Sequence, residues 1–542
     1  MTTSVARLAP PIASTHARRW DAVDSVLSFC ILAATGLYLS GLPRDLNPAD
    51  ESYFLYEAKR LRDGEVLYRD VFQFVTPLAS YAMAALFWLF GTTMATARIS
   101  MAFVHGATAI LFYAVARILG CRRALALLVP LAYVALCQSA WAFASWHWFS
   151  TLTTAALLLA LLTTPWASRP RWALVPGLLS GLAICVQQQR GTVVAAGAGM
   201  VFLVDALFGR RYAEPGPWRH GVVRMMWFAA GVVAVVVPVL ATFAVAAGPQ
   251  ALYDALVRFP LENYRASYHS HWGDLADFTE HIADYTVPAV LRYSPAALIV
   301  PFVDCVRDVV RRRERTRVRA LSALLALAAA STASIWYFPD LVHIAFIAGI
   351  YWVAAAYSAE RALGALRAPR VASLTGGAIA VAAGAVMVVH LVRYTRLIEE
   401  RYPVPHQTVF GRVDLPARWQ AVLVDQIRVL LADVPSRELF SYPSYPSLYL
   451  MTGGRNPTPY QHFEANVFPR RYTTTVLRTL ERRALPYVVA SPFLWPKHDA
   501  VANYIRSHYH ALPLPPMRDV EDLPAYWVYR RNELEPHGPP AP

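Results

Sequence analysis

Two adjacent acidic residues, Asp50 and Glu51, come directly after the first long apolar run of the sequence. A carboxylate can take a proton from an attacking hydroxyl and so act as a general base. An acidic residue before a helical run can equally cap that helix, and residues 51–62 have a helical pattern. Adjacent helical residues point about 100° apart, so only one of the two need face a site. We predict Asp50 as the base, with Glu51 as the alternative.

Further polar side chains lie at the ends of other apolar runs, in distant parts of the chain. Each one alone fits a hydrated residue at the edge of a bilayer, where Trp and Tyr are also common. Together they predict a site that several elements build on one face of a membrane. The predicted lining residues are Tyr53, Tyr68, Asp70, His147, Asp340 and His343.

One loop also offers side chains of the types that bind metals, namely His269, His271, Asp274 and His281. Their spacing matches neither the zinc nor the calcium patterns of proteins. A divalent metal therefore stays open as a cofactor, and no metal ligand is assigned. None of the five cysteines falls in a segment that we predict outside the membrane, so no disulfide framework is expected.

The amino-acid composition indicates that these side chains are carried by a membrane-embedded structure. Of the 542 residues, 56% are hydrophobic and 16% are charged, whereas soluble domains carry about 25% charged residues. This argues against a cytosolic enzyme, a disordered chain and a nucleic-acid binder. The net charge of +14 is instead attributed to basic residues that sort to one side of a bilayer.

Runs of apolar residues long enough to cross a bilayer, about 20 residues each, occur eleven times. We predict transmembrane helices near 23–42, 95–117, 124–143, 148–166, 172–189, 191–208, 222–247, 288–306, 319–337, 341–359 and 371–392. One further apolar run, residues 77–91, is only 15 residues long.

The positive-inside rule decides how this short run is assigned. If residues 77–91 do not cross, the later loops carry nineteen arginines on one side and five on the other. If they cross, the arginine-rich loops move outside. We therefore predict an interfacial helix on the outer face. The N-terminus is then cytoplasmic, in a multi-pass protein of the cytoplasmic (inner) membrane.

This topology divides the chain into two predicted parts. Residues 1–392 form a transmembrane module, with a first outer loop at 43–94 and a second large one at 248–287. Residues 393–542 are polar and Pro-rich and contain strand-like pieces at 438–442, 487–490 and 526–529. They are long enough for an extracytoplasmic α/β domain.

The order of the motifs resembles the GT-C glycosyltransferases, specifically bacterial relatives of protein O-mannosyltransferases and aminoarabinose lipid A transferases. The most specific stretch runs from Asp50-Glu51-Ser52-Tyr53-Phe54, through Gly64-Glu65-Val66-Leu67-Tyr68-Arg69-Asp70 and Thr76-Pro77, to Leu89-Phe90-Gly91 with Arg98. It is similar to the family's first-loop pattern. Gln187-Gln188-Gln189-Arg190-Gly191 resembles its fifth helix. The family's acidic residue falls on Asp50, with Glu51 beside it.

The resemblance implies the GT-C fold and transfer of a sugar from a polyprenyl-phosphate donor on the outer face of the membrane. The acceptor would be a lipid, a glycan or a protein, and membrane lipids would surround the enzyme. An arginine can bind the donor phosphate through paired charge-assisted hydrogen bonds. We expect Arg258 or Arg265 in this role, followed by Arg190. Attack opposite the phosphate would invert the anomeric centre.

Two other classes of membrane protein remain as alternatives. An O-antigen-ligase-like transferase would need a large arginine-rich outer loop, whereas residues 248–287 carry only two arginines. A transporter or flippase tends to place ionisable groups near the bilayer midplane. Here the ionisable groups gather at predicted helix ends, which favours the GT-C transferase.

Overall fold

The structure is a computed structural model. It describes residues 20–46, 50–209, 217–264, 270–274, 286–311, 315–366, 368–463, 468–491, 499–513 and 525–532.

The first 401 residues are almost entirely helical where described. The first eight helices are α1 Ala22–Gly41, α2 Asp50–Arg62, α3 Leu78–Phe90, α4 Met94–Ile118, α5 Arg123–Ala132, α6 Trp146–Thr163, α7 Leu174–Val186 and α8 Gln188–Gly209. The next seven are α9 Pro217–Ala247, α10 Pro249–Tyr253, α11 Thr286–Tyr293, α12 Ile299–Val310, α13 Arg315–Ser334, α14 Leu341–Gly364 and α15 Pro369–Arg401. Short π- and 3₁₀-helical turns extend α5, α7, α10 and α11.

Nine helices of the described chain are long and apolar enough to cross a membrane. They are Ala22–Gly41, Met94–Ile118, Arg123–Ala140, Trp146–Thr163, Gln188–Leu207, Arg219–Ala247, Val287–Val310, Leu341–Gly364 and Pro369–Arg401. The predicted polytopic helical architecture is thus confirmed, but the number eleven is not. The predicted span at 172–189 corresponds to a shorter apolar helix, Pro170–Val186. The span at 319–337 corresponds to α13, which begins with three arginines in five residues.

The run predicted as an interfacial helix forms α3, which has 13 residues. At 1.5 Å per residue it is roughly 20 Å long, shorter than the ~30 Å hydrocarbon core. Its last turn exposes Trp88, Leu89 and Phe90, which are 73%, 60% and 70% accessible. An apolar helix end of this kind suits a membrane interface, and the interfacial position itself stays a prediction.

Close helix packing uses small residues. Gly177 of α7 faces Gly231 of α9, and a Cβ on either glycine would overlap the backbone of the other helix. In lipid, helices associate mainly through van der Waals contact and hydrogen bonds, so small residues that let backbones approach stabilise the pair. The α7–α9 pair therefore depends on having no side chain at these two positions.

Buried aspartates hold many of the arginines that the topology places on the cytoplasmic side. Asp24 pairs with Arg117 at 2.9 Å, Asp205 with Arg319 at 2.6 Å, and Asp304 with Arg361 at 2.7 Å. Isolated buried charges are costly, and each of these three arginines has a carboxylate partner. These arginines stabilise the helix bundle besides setting its predicted orientation.

The chain after α15 forms a smaller α/β region, as predicted for its fold class. Its strands are β1 Val404–Thr408, β2 Gly411–Leu415, β3 Phe440–Tyr442, β4 Tyr487–Ala490, β5 Tyr509–Ala511 and β6 Trp527–Arg531. Its helices are α16 Arg418–Ala432, α17 Ser447–Thr452, α18 Arg470–Arg483 and α19 Ala500–His508. Strands β1 and β2 form an antiparallel hairpin, and the other four form a mixed sheet in the order β3-β4-β6-β5. The three predicted strand-like pieces correspond to β3, β4 and β6.

Candidate functional site

The helix that carries the predicted base lies at the junction of the two regions. Between its first residue, Asp50, and its last, Arg62, helix α2 is buried on nearly every face. Phe54 packs edge-on against Trp146 of α6 with ring centroids 5.9 Å apart. Tyr56 stacks on Tyr449 of α17 at 4.7 Å. Contacts with both regions therefore fix the direction in which α2 presents its acidic residues.

Asp50 is the carboxylate that this packing leaves available. Its side chain is accessible to solvent, and it makes no hydrogen bond or ion pair to the residues described in the structure. The surrounding protein still excludes much of the bulk water, and this desolvation raises the pKa of Asp50. The charges of His462 and His343 oppose the pKa rise, whereas Asp340 adds to it. An accessible carboxylate with a raised pKa is a stronger base than an ordinary aspartate.

Glu51 points into the protein and is fully buried. Arg98 donates to both of its oxygens, one of these bonds being 3.2 Å long. The backbone amide of Ala144 donates to Oε1 at 2.8 Å. Arg98 also bonds Asp45. Glu51 therefore ties α2 to α4 and to the start of α6, and its oxygens are occupied. The geometry favours Asp50 over Glu51 as the base.

His343 is held beside this carboxylate by Asp340, which precedes α14. One oxygen of Asp340 accepts from both the backbone N–H and Nδ1 of His343, each at 2.7 Å. A neutral His343 ring is thereby fixed with its proton on Nδ1 and its lone pair on Nε2. The ring lies edge-on to His147 at 5.2 Å, and His147 stacks on Phe346 at 4.4 Å. Two of the predicted lining residues thus meet on adjacent helix ends.

A small cavity of about 10 Å³ adjoins His343. Polar and apolar side chains both line it: His147, Gln187, Gln189, Arg190, Ser334, Ile335, Tyr337, His343 and Phe346.

Arg190 gives this pocket its charge. The residue is 3% accessible and donates to three neutral acceptors: Thr151 Oγ1 at 3.1 Å, the Phe346 carbonyl at 3.0 Å and the His147 carbonyl at 3.3 Å. In the described part of the chain no carboxylate pairs with it, and its buried Nε has no partner. A buried cation without a counter-ion is costly unless an anion joins it. The charge of the pocket is therefore suited to an anionic group, and a phosphate, which is larger than the cavity, could enter only if the lining side chains moved.

The arginine predicted first for the phosphate role lies elsewhere. Arg258 is on the π-helical turn after α10 and is 41% accessible, and it pairs at 2.9 Å with Glu262 of the next π-helical turn, Pro260–Tyr264. It is thus an exposed residue that already has a partner, and the structure brings Arg190 rather than Arg258 to the pocket. The other first-choice residue, Arg265, lies outside the described residues.

The remaining predicted lining residues mainly shape the first loop. The Tyr68 hydroxyl donates to the Val75 carbonyl at 2.8 Å, and the Tyr53 hydroxyl donates to that of Phe72 at 3.4 Å. Asp70 accepts from the Val66 amide at 2.8 Å. Tyr53 lies one turn from Asp50 on α2, whereas Tyr68 and Asp70 support the loop that follows.

The predicted metal-ligating loop is only partly described. His269 and His281 lie outside the described residues, and His271 bonds Asp274 through Nδ1 at 3.2 Å. Among the residues that the structure does describe, no group of three potential ligands is arranged to hold a metal ion.

Two residues near the site were missed by the sequence reasoning. Glu57 lies two turns after Asp50, is fully buried, and has a pKa raised by desolvation to about 7; Gln73 donates to it at 2.6 Å. His462 comes from the C-terminal region and lies edge-on to Tyr53 at 6.2 Å. Helical spacing from Asp50 could have suggested Glu57. No local motif marks His462, because only tertiary packing brings it to α2.

Comparison with known proteins identifies the fold. No protein-family model matches the sequence, and no curated protein matches it. Solved structures that resemble it include ArnT from Cupriavidus metallidurans bound to undecaprenyl phosphate, at a TM-score of 0.58 and 14% identity. The apo state of the same protein gives a TM-score of 0.59 at 14% identity. Both alignments cover 93% of this chain and 97% of ArnT. The predicted GT-C fold is thus confirmed over nearly the whole chain.

Proposed function

We propose that this multi-pass membrane protein of GT-C fold is a glycosyltransferase that uses a polyprenyl-phosphate-linked sugar. The acceptor is a lipid, a glycan or a protein on the outer face of the cytoplasmic membrane. One observation carries the proposal. Among the residues that the structure describes, the Asp50 carboxylate has no hydrogen-bond or ion-pair partner and Arg190 has no carboxylate partner, and both have His343 as a neighbour. Base and phosphate site therefore adjoin, as transfer from a phosphate-linked donor requires.

The donor phosphate binds at Arg190 in this scheme. Paired charge-assisted hydrogen bonds from a guanidinium match the geometry of a phosphate. Because Arg190 is buried, its charge is screened less than that of a surface arginine. Tyr337 and Gln189 line the same pocket and supply further hydrogen-bonding groups. A cation placed before the reaction also stabilises the negative charge that develops on the leaving phosphate.

Asp50 acts on the acceptor. As the acceptor oxygen forms its bond to the anomeric carbon, its proton passes to the Asp50 carboxylate. The bond between that carbon and the phosphate oxygen breaks, and its electron pair leaves with the polyprenyl phosphate. Attack from the side opposite the phosphate inverts the anomeric centre. The raised pKa of Asp50 strengthens it as a proton acceptor in this step.

The fold comparison supports the same donor class. ArnT, which shares the fold, was solved with undecaprenyl phosphate bound. The first-loop motif around Asp50 resembles the family that includes the aminoarabinose lipid A transferases. Both considerations favour a polyprenyl-phosphate donor and leave the identities of the sugar and the acceptor to experiment.

The proposal is tested by transfer assays in membranes that contain the protein. A panel of undecaprenyl-phosphate sugars, each radiolabelled in the sugar, is offered to wild type and to Asp50→Asn. We expect one donor to give labelled product with the wild type and none with the variant. Equal labelling by both proteins would remove Asp50 from the reaction. Solute uptake into vesicles without transfer from any donor would instead favour a transporter.

A further inference from the structure

One continuous segment of the C-terminal region, residues 455–463, lies across helix α2. The backbone amide of Asn456 donates to the Tyr56 hydroxyl at 2.8 Å. Arg60 donates to the Thr458 carbonyl at 2.9 Å. The Phe72 amide donates to the Pro459 carbonyl at 2.9 Å. These hydrogen bonds attach the segment to α2 and to the loop that follows it.

The segment is also ordered by its own side chains. The Asn456 side chain accepts from the Thr458 amide at 2.9 Å and donates to the Tyr460 carbonyl at 2.8 Å. The Tyr460 ring stacks on Tyr472 of α18 at 4.8 Å. Such side-chain to backbone bonds fix a turn without regular secondary structure. The segment consequently presents its last residues to α2 in a defined direction.

Those last residues meet the functional side of α2. Gln461 donates to the buried Glu57 carboxylate at 3.4 Å. The next residue, His462, lies edge-on to Tyr53. Of the charged groups that act on Asp50, His462 lowers its pKa most; His343 also lowers it, and Asp340 raises it. An imidazole from each of two distant parts of the chain therefore influences one carboxylate.

We propose that His462, which lies against Tyr53 one turn after Asp50, is a positioning residue of this site through which the C-terminal region acts on the Asp50 carboxylate. This inference rests on the proposed function. His343 is already clamped by Asp340. His462 supplies a second imidazole near this end of α2, and its effect is to lower the pKa of the Asp50 carboxylate. The C-terminal region belongs, on this view, to the catalytic unit.

The test uses the full-length protein and the undecaprenyl-phosphate sugar that supports transfer in the panel. His462→Gln keeps a polar side chain of similar length and removes the titratable ring. The matched control is His406→Gln on β1, because His406 also lies beside a carboxylate, Asp425, at 3.1 Å. For each protein we would measure kcat, KM, the pH dependence of kcat/KM and the affinity for undecaprenyl phosphate.

We expect His462→Gln to lower kcat about tenfold on the acidic side of the rate profile, where more of Asp50 is then protonated, and to leave undecaprenyl phosphate affinity unchanged. Because His462 lowers the pKa of Asp50, its loss should move the acidic limb of the kcat/KM profile to higher pH. The control should follow the wild type. Gln461→Ala, which loosens the segment and keeps the ring, should shift the profile in the same direction by less.

The outcomes separate this inference from the proposed function. If Asp50→Asn keeps transfer activity, the proposed function fails. If Asp50→Asn is inactive while His462→Gln retains the wild-type kcat and pH profile, only the role of His462 is refuted. A loss of kcat in His462→Gln with no movement of the acidic limb would also overturn it, since a merely structural role predicts that result.

Discussion

Conservative substitutions of the two adjacent carboxylates should have opposite consequences. Asp50→Asn removes a group that has no partner among the described residues and whose ionised form is disfavoured in the folded protein, since its pKa is raised. The charged form of such a group opposes folding at every pH above its ordinary pKa. Asp50→Asn should therefore abolish transfer and leave thermal stability at neutral pH equal to that of the wild type or higher.

Glu51→Gln breaks a buried ion pair instead. Arg98 donates to both Glu51 oxygens, and the two side chains are 12% and 0% accessible. Removing one partner of a buried pair typically costs about 3–5 kcal/mol, because the other charge stays buried. Arg98 keeps its bonds to Asp45 in this variant, so its charge is not left without a partner. We therefore expect the free energy of unfolding to fall by about 3 kcal/mol, near the lower end of that range.

The assay compares both variants in the same membranes. Transfer is followed with the radiolabelled donor, and unfolding is followed by thermal denaturation of the detergent-solubilised protein. Asp50→Asn should melt no earlier than the wild type, and Glu51→Gln should melt several degrees earlier. An active Asp50→Asn beside an inactive Glu51→Gln of wild-type stability would show that Glu51 is the base.

Three further results follow from the site. Because desolvation raises the pKa of Asp50, kcat/KM should fall as pH drops through a value above the ordinary pKa of aspartate, and the rate profile measures this. Arg190→Gln should weaken undecaprenyl phosphate binding about 10- to 100-fold, the loss of a charged hydrogen-bond donor. The matched Arg258→Gln should bind within about twofold of the wild type, since exposed pairs contribute little; equal binding by both variants would contradict the Arg190 assignment. Asp340→Ala should lower stability by about 1 kcal/mol through loss of a helix cap and lower kcat because the His343 ring is no longer clamped. Unchanged kcat in that variant would exclude a role for the clamp.

The choice among candidate arginines shows where sequence reasoning ended. Arg190, Arg258 and Arg265 all lie in or beside predicted outer loops. Arg258 and Arg265 were preferred as phosphate ligands because they lie in the larger loop, residues 248–287. Arg258 proves to have a partner four residues away, Glu262, an interaction that helical spacing could have indicated. Whether Arg190 has a counter-ion depends on helices α6 and α14, which lie far from it in sequence.

The sequence by itself determined the class of protein. A run of about 20 apolar residues crosses a bilayer as a helix, because lipid offers no hydrogen-bond partners to the backbone. It also indicated that an acidic pair opens a helix at this position and that only one member need face a site, since helical geometry is local. Strand positions in the C-terminal region followed from the same local patterns.

Only the tertiary structure decided which carboxylate is available, which arginine has no carboxylate partner among the described residues, and that His462 lies against Tyr53 of α2. Each of these depends on contacts between residues far apart in the chain, such as Glu51 with Arg98 and Tyr53 with His462. Charge pairing and desolvation depend on every residue that is close in space, including residues far away in the sequence. A short stretch of sequence therefore cannot predict them. The type of each residue indicates which chemistry its side chain can perform. The residues that pack against it decide whether that side chain is available to a ligand.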